Sequence, residues 1–295
     1  MPPHPLARIV DQLKREPSRT GSIVITVYGD AIVPRGGAVW LGTLLTFFKA
    51  LDIDGGVVRT AVSRLAADGW LARTRVGRNS FYRLADKGRD TFAAAARHIY
   101  AARPPEWTGR FDLLLLPNGS GQRDGLRDSL RNAGFGNPLP GLWLAPSGTA
   151  VPEAAGHAIR LEATVAPDSD AAETGRRLIA ASWQLERTAE AYRLFVATFA
   201  PLRAFVQRAD ELSDIEAFTA RILLIHQYRR IVLRDPLLPE AMLPPDWPGT
   251  AARALCADVY PALLAGAERW LDANAVCEAG PLPPPREALG RRFRD

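Results

Sequence analysis

The chain has 295 residues, 47% of them hydrophobic and 23% charged, the balance of a folded water-soluble protein of two or three domains. No apolar run approaches the roughly 18 residues of a membrane helix, and the opening MPPHPLARIV lacks the basic start and apolar core of a secretion signal, so a cytoplasmic location is expected. The net charge of +5 is uneven: residues 1–103 hold 16 Lys or Arg against 8 Asp or Glu (+8) and the remainder 21 against 24 (−3), which implies a polyanion partner for the first part alone.

Leu6 to Arg15 reads as a short amphipathic helix, followed by a break at EPSRTG. SIVITVYGDAIV (Ser22 to Val33) is too short for its period to separate a strand from a buried helix. A helix is expected, because the helical segments that follow need a partner. PRGG (Pro34 to Gly37) is a turn. Trp40 to Leu51 reads as a second helix, DIDGG as a short connection, and Val57 to Asp68 as a third helix closed by Gly69. WLARTRV and SFYRLA alternate around Gly77, Arg78 and Asn79, a hairpin pattern. Asp86 to Ala102 reads as a helix leading away, and RPPEW marks a domain boundary.

From Arg110 the texture changes. RFDLLLL reads as a strand, Gly121 to Asn132 as an amphipathic helix, and GLWLAP and HAIRLEATV as two more strands, a small α+β domain ending near Asp170. Ala171 to Phe199 spaces Leu178, Ile179, Trp183, Tyr192, Phe195, Val196 and Phe199 as a helix does. Ser213 and Glu216 form a capping box ahead of AFTARILLIHQYRRIVL. RDPLLPEAMLPPDWPG is a proline-rich ordered loop, and Thr250 to Asn274 is a last helix that Pro261 can kink. The tail from Gly280, rich in Pro and Arg, is expected to be disordered.

Helices followed by a hairpin are the layout of a winged helix-turn-helix. On the third helix, Val58, Val62 and Leu65 form one stripe for the core, which turns Arg59, Thr60, Ser63 and Arg64 outward. Those side chains can meet phosphates and the acceptor edge of guanine. Arg73, Arg75, Arg78 and Asn79 on the hairpin would lie along the backbone or in the minor groove. A solvated helix face is the competing reading for Arg59 and Arg64 alone; the hairpin arginines and the charge of the region favour DNA.

ITVYGDAIVPRGGAVWLGTLL, VRTAVSRLAADGWL and RVGRNSFYRLADKG resemble the N-terminal part of the PaaX family, repressors of phenylacetic acid catabolic operons. The likeness continues at GNPLPGLWLAP and RRIVLRDPLLPEAMLPPDWPG and so covers the chain between Gly21 and Ala275. The resemblance implies a multidomain fold, mainly α with α+β. Residues 1–103 would form the winged helix-turn-helix, and 104–170 a ferredoxin-like domain similar to the Cas2 nucleases. Residues 171–295 would form a helical effector and dimerisation domain with a disordered tail. It further implies a homodimeric repressor of double-stranded operator DNA, released by phenylacetyl-CoA or a related aromatic acyl-CoA. Two departures stand out. Gly55 and Gly56 open the third helix where the family has longer side chains, at about 1 kcal/mol each relative to Ala if both are helical. Either they admit a phosphate close to the backbone or the helix begins after them, and the later start is favoured. After the first strand of the middle domain, Pro117 and Asn118 stand where relatives often have an acidic residue.

An enzyme, the alternative being a Cas2-like nucleic-acid-processing one, needs a site, and none is expected. His4, His98, His157 and His226 are far apart, and none has a metal-ligand spacing with another His or Cys. Cys256 and Cys277, the only cysteines, give no disulfide framework. PNGSGQRDG lacks the ending of a phosphate loop, and Ser120 has no nucleophile-elbow setting. Asp112 lies inside its strand, so the strand end offers no carboxylate for a metal. No catalytic residue, metal or cofactor is therefore assigned. For the acyl-CoA, Trp183, Tyr192, His226, Arg229 and Arg230 are the candidates, with Arg234 nearby: arginines for phosphates and aromatic rings for stacking. The competing reading is structural, with arginines suiting a helix C-terminus, His226 a hydrogen-bonded core residue, and Phe47, Phe48, Phe195 and Phe199 plain core.

Overall fold

The computed structural model describes residues 5–15, 20–101, 103, 108–116, 124–164, 171–208 and 212–294. The first third contains α1 (Pro5–Arg15), α2 (Thr20–Val27) running on as a π-helical turn (Tyr28–Ile32), β1 (Ala38–Trp40), α3 (Leu41–Ala50), α4 (Gly55–Ala67), β2 (Leu71–Val76), β3 (Asn79–Leu84) and α5 (Asp86–Ile99). Then come β4 (Arg110–Leu115), α6 (Asp124–Asn132), β5 (Gly136–Leu139), β6 (Leu142–Pro146), β7 (Ile159–Thr164) and α7 (Ala171–Ser182). The helices α8 (Leu185–Gln207), α9 (Asp214–Val232) and α10 (Pro248–Asn274) follow, with the short strands β8 (Val276–Cys277) and β9 (Gly280–Pro281) near the end. Among the described residues no helix is long and apolar enough to cross a membrane.

These elements form two compact units, not the three consecutive domains expected from the sequence. One comprises Met1–Ala102, Leu194–Arg230 and Ala251–Asp295; the other comprises Arg103–Arg193 and Ile231–Thr250. The units part near residue 103, and residue 170 falls inside the second.

In the first unit α2 and α3 pack against α4. Val24, Val27, Leu44, Phe47, Phe48, Val58 and Val62 are buried, as are Phe195 and Phe199. β1, β3 and β2 form an antiparallel sheet in that order. β1 is an addition to the sequence reading, since three residues after a PRGG turn show no period. The β2–β3 hairpin pairs Val76 with Asn79, and Gly77 takes φ +58 at the first turn position, where an L side chain would be strained.

A buried charge cluster explains why the C-terminal helices belong to this unit. Asp30, in the π-helical turn, accepts from Arg221 Nε (2.6 Å) on α9, from Tyr100 (2.6 Å), from Tyr260 (2.9 Å) on α10 and from Arg292 (2.8 Å). Arg221 also bonds Glu268 (2.6 Å), which bonds Arg35 (3.1 Å). Unpaired buried charges of this kind would be prohibitive, so partners nearly 200 residues away in sequence must be brought in. Burial alone would lower Arg221, but Asp30, Tyr260 and Glu268 outweigh it and hold the guanidinium above its ordinary range.

The tail is ordered, contrary to the expectation from its composition. Arg35 Nε donates to Pro283 O (2.8 Å), the Arg286 amide to Pro34 O, and the Phe293 amide to Tyr100 O. Arg292 stacks on Tyr100, 3.9 Å from the ring centre, and the Phe293 ring meets Tyr100, Tyr228 and Tyr260. Phe293 holds φ +64, rare for a bulky residue, because these contacts fix it on both sides.

The second unit holds an antiparallel sheet in the order β5-β6-β4-β7. One face packs Leu114, Trp143 and Ala145 onto Leu126 and Leu130 of α6; the other packs Phe111 and Leu144 onto Ile179, Trp183, Leu238 and Met242. β5 was hidden in the sequence by Gly136 and Pro138, which an edge strand tolerates. The single helix expected over Ala171–Phe199 is two, interrupted at Trp183, whose indole turns in to donate to Gly134 O (3.1 Å).

Candidate nucleic-acid interface

α4 begins at Gly55, earlier than the sequence reading favoured. Asp54 caps it: its carboxylate accepts from the Gly56 amide (2.7 Å), offsetting the two glycines. The far end closes with Trp70 N bonded to Leu65 O (2.9 Å), Gly69 N to Ala66 O (3.1 Å), and Gly69 at φ +74. Val58 and Val62 are fully buried, and Arg59, Thr60, Ser63 and Arg64 are all exposed, as the spacing requires. Helical geometry puts Thr60 opposite the buried stripe with Ser63 and Arg64 beside it, and Arg59 at the margin. There the Arg59 guanidinium lies 3.2 Å from where a Gly55 Cβ would stand. Thr60 donates its hydroxyl to Gly56 O (2.9 Å).

On the hairpin, Arg73, Arg75, Arg78 and Asn79 are exposed. Arg73 donates to Ser80 Oγ (2.8 and 3.2 Å) and Arg75 to Gly77 O (3.1 Å), which holds both guanidinium groups along the hairpin. Arg83, the penultimate residue of β3, is instead paired with Glu278 (2.7 Å). The base of β3 is pinned by Tyr28, which donates to Tyr82 O (3.0 Å); burial pushes that phenol far up, so it is a neutral donor.

The five residues assigned to an acyl-CoA divide between the two units and are engaged in the fold. In the first unit Arg229 donates from Nε to Thr26 Oγ1 (2.7 Å) and from Nη2 to Ser22 O and Oγ (both 2.8 Å), while His226 Nδ1 lies 3.0 Å from the same Thr26 hydroxyl. Burial, with Arg229 and Arg230 nearby, takes His226 down to about 3, so it stays neutral. Burial also lowers Arg229 to about 10, still a cation at neutral pH. These two side chains grip α2, the helix behind α4. Arg230 bonds Gln227 at 3.5 Å. In the second unit Trp183 holds Gly134, and Tyr192 donates to Asp235 (2.7 Å) and meets Trp247 edge-on. The competing structural reading has direct support for His226 and Arg229, which hydrogen-bond within the fold.

Asp30, Arg35, Tyr100, Arg221, Tyr260, Glu268 and Arg292, which orient α2 and its π-helical turn, went unnoticed in the sequence. The signal was a lone charge inside an apolar run, Asp30 in ITVYGDAIV and Arg221 in AFTARILLIHQY. In the second unit Asp112 is buried; Arg160 (2.9 Å) and the Gly148 amide (3.0 Å) occupy its carboxylate. Pro117, Asn118 and Ser120 lie outside the described residues. Among the described residues no group of three or more His, Cys, Asp or Glu could hold a metal.

Residues 19–88 match the PaaX-like protein family and residues 183–273 the PaaX-like protein C-terminal domain. The chain is 37% identical over 283 residues to the transcriptional repressor PaaX of Escherichia coli strain K12, covering 92% of this chain and 89% of that one. Among solved structures, an uncharacterized protein from Mycobacterium tuberculosis aligns with a TM-score of 0.52 at 22% identity, covering 77% of this chain and 89% of that chain, a likeness of fold alone. With family matches at both ends and a relative spanning nearly its whole length, the chain belongs to the PaaX family.

Proposed function

We propose that the protein is a DNA-binding transcriptional repressor of an aromatic, phenylacetate-type catabolic operon, released from its operator by phenylacetyl-CoA or a related aromatic acyl-CoA. The observation that carries the DNA reading is the joint exposure of Thr60, Ser63 and Arg64 on α4 and of Arg73, Arg75, Arg78 and Asn79 on the adjoining hairpin, in the basic third of the chain. The order α2, β1, α3, α4, β2, β3 with sheet order β1-β3-β2 supports a winged helix-turn-helix, α4 entering the major groove. Arg59 and Arg64 then reach bases or phosphates, and the hairpin follows the backbone or minor groove. The repressor role and effector class rest on the family.

In the second unit, the order β5-β6-β4-β7 supports a ferredoxin-like, Cas2-like fold in which a single helical turn, Glu153–Ala155, replaces the second helix. A homodimer is supported by an apolar row across that sheet. Leu139, Leu142, Leu115 and Ile159 are neighbours in register, with Leu161 next on the same face, beyond the part covered by Ile179 and Trp183. Leu139 and Ile159 are 62% and 58% exposed. A second copy would cover such a surface. The occupied carboxylate of Asp112 favours no nuclease, so the protein is read as a non-enzyme.

The test is a mobility shift on the DNA upstream of the protein's own gene, with a panel of acyl-CoA esters. Specific retardation relieved by phenylacetyl-CoA is expected. Absence of any specific shift would refute the DNA reading, and a shift indifferent to every ester would refute the effector.

A further inference from the structure

Resting on the reading of α4 as a recognition helix, we propose that Val57 makes the protein select thymine, its isopropyl group packing on the 5-methyl of a thymine in the major groove. Val57 is 50% exposed, although its neighbour Val58 is fully buried. It lies in the first turn of α4, the part of a recognition helix that meets base edges. Val57, Thr60 and Arg64 stand at i, i+3 and i+7 on one exposed stripe, turned away from the buried Val58 and Val62 and the half-buried Leu65, with Val57 at its edge. The residues beside that stripe are small: Gly56 has no side chain, and Ser63 is shorter than Val57. The Thr60 hydroxyl is engaged by Gly56 O within the helix, so its methyl is what it adds to the surface.

The chemistry decides the partner. Of the four bases only thymine presents a methyl group in the major groove; the others present donors and acceptors there. An apolar side chain pressed on those groups would strip their water without replacing a hydrogen bond. Arg64 on the same stripe can take a guanine edge or a phosphate, so the helix would carry one charged and one apolar contact side by side. A valine read only for packing would be buried, and one left to solvent would contribute nothing at this place.

The experiment uses the full chain and a duplex that the protein itself enriches from a random-sequence pool. Each thymine is replaced in turn by uracil, which removes the methyl and nothing else. At one position per half-site the wild type is expected to lose about fourfold in affinity, the equivalent of ~0.8 kcal/mol for one methyl group. Val57→Ala should bind the thymine duplex about as weakly as the wild type binds the uracil duplex, and should lose nothing further on the uracil one. Leu194→Ala, an equally exposed residue (50%) on α8, should keep the wild-type sensitivity. Thermal melts confirm that both variants fold. Wild-type indifference to uracil at every position overturns the proposal, as does a Val57→Ala variant with undiminished sensitivity at the same position. Failure to enrich any duplex overturns the DNA-binding reading itself, a different result from either.

Discussion

Replacing Asp30 with asparagine should be among the most damaging single changes available in this chain. The carboxylate and its partner Arg221 are both fully buried, 2.6 Å apart, and Arg292 approaches the other oxygen at 2.8 Å. Asparagine keeps the shape but takes the anion from Arg292 and leaves Arg221 with Glu268 alone, both in a buried site. Breaking one side of a buried ion pair costs about 3–5 kcal/mol, because the remaining charge is uncompensated. Set against a total stability of about 5–15 kcal/mol, that is a large share, equivalent to a fall in Tm of about 10 °C for a unit of this size. Tyr100→Phe and Tyr260→Phe also remove a hydrogen bond to the same carboxylate, but each deletes a neutral donor and leaves both cations paired. Each should cost only about 1 kcal/mol. Urea unfolding of the three variants, followed by circular dichroism, checks the ranking. A loss below about 1 kcal/mol for Asp30→Asn, or tyrosine variants as costly as the asparagine, would refute the charge argument.

Arg64→Ala should weaken specific operator binding by about 1–3 kcal/mol while leaving the melting curve unchanged; equal affinities at fixed salt would remove Arg64 from the interface. Arg75→Ala and Arg78→Ala should weaken binding to all sequences alike and lower the salt slope by about one unit per lost phosphate contact, measured by titration over a range of salt. His226 titrates near 3 in the fold against an ordinary 6.5, so the unfolded chain takes up the proton first. Its contribution is fully present above pH 6.5 and is lost as the pH falls toward 3, at up to about 1.4 kcal/mol per pH unit; His226→Asn should flatten unfolding free energy across that window, and an unaltered slope would refute the assignment. Arg229→Ala should cost about 1.5–3 kcal/mol of stability without changing phenylacetyl-CoA affinity by calorimetry, whereas unchanged stability with lost affinity would restore it to an effector site.

Local patterns carried the helices and the hairpin. The Val58–Val62 stripe placed the outward face of α4 correctly, and Gly77 marked the turn. The Ser213–Glu216 capping box is present, with Glu216 accepting from the Ser213 amide (2.9 Å). What periodicity could not carry was β1, too short to have a period, and β5, where Pro138 reads as loop although an edge strand tolerates it. The start of α4 was missed because glycine propensity was weighed without the Asp54 cap. Composition registers the Pro and Arg of the tail, while its order depends on distant partners: Arg292 finds its acceptor in Asp30 and Phe293 packs among Tyr100, Tyr228 and Tyr260. The effector candidates His226 and Arg229 are ambiguous in sequence for the same reason. A histidine and an arginine at a helix end look alike in sequence whether or not they meet, as here, Thr26 and Ser22.

Those contacts also constrain how any effector can act. α4 packs on α2, and α2 is gripped by Arg229 and His226 of α9. The π-helical turn that continues α2 is held by Arg221 of α9, Tyr260 of α10 and Arg292 of the tail. The proposed recognition helix, α4, is therefore seated on elements whose positions are set by the C-terminal helices. A ligand with equal affinity for the DNA-competent and released conformations shifts nothing, however tightly it binds. Moving the balance from 1:99 to 99:1 takes about 5.5 kcal/mol of differential affinity. One hydrogen bond to Thr26, at about 1 kcal/mol, is too small a lever for that, while opening the Asp30 cluster would cost nearly as much as the whole shift. In the proposed dimer, the economical route leaves the Asp30 cluster intact and moves α2 and α4 together with α9 and α10, which would change the spacing of the two copies of α4 and not the fold of either.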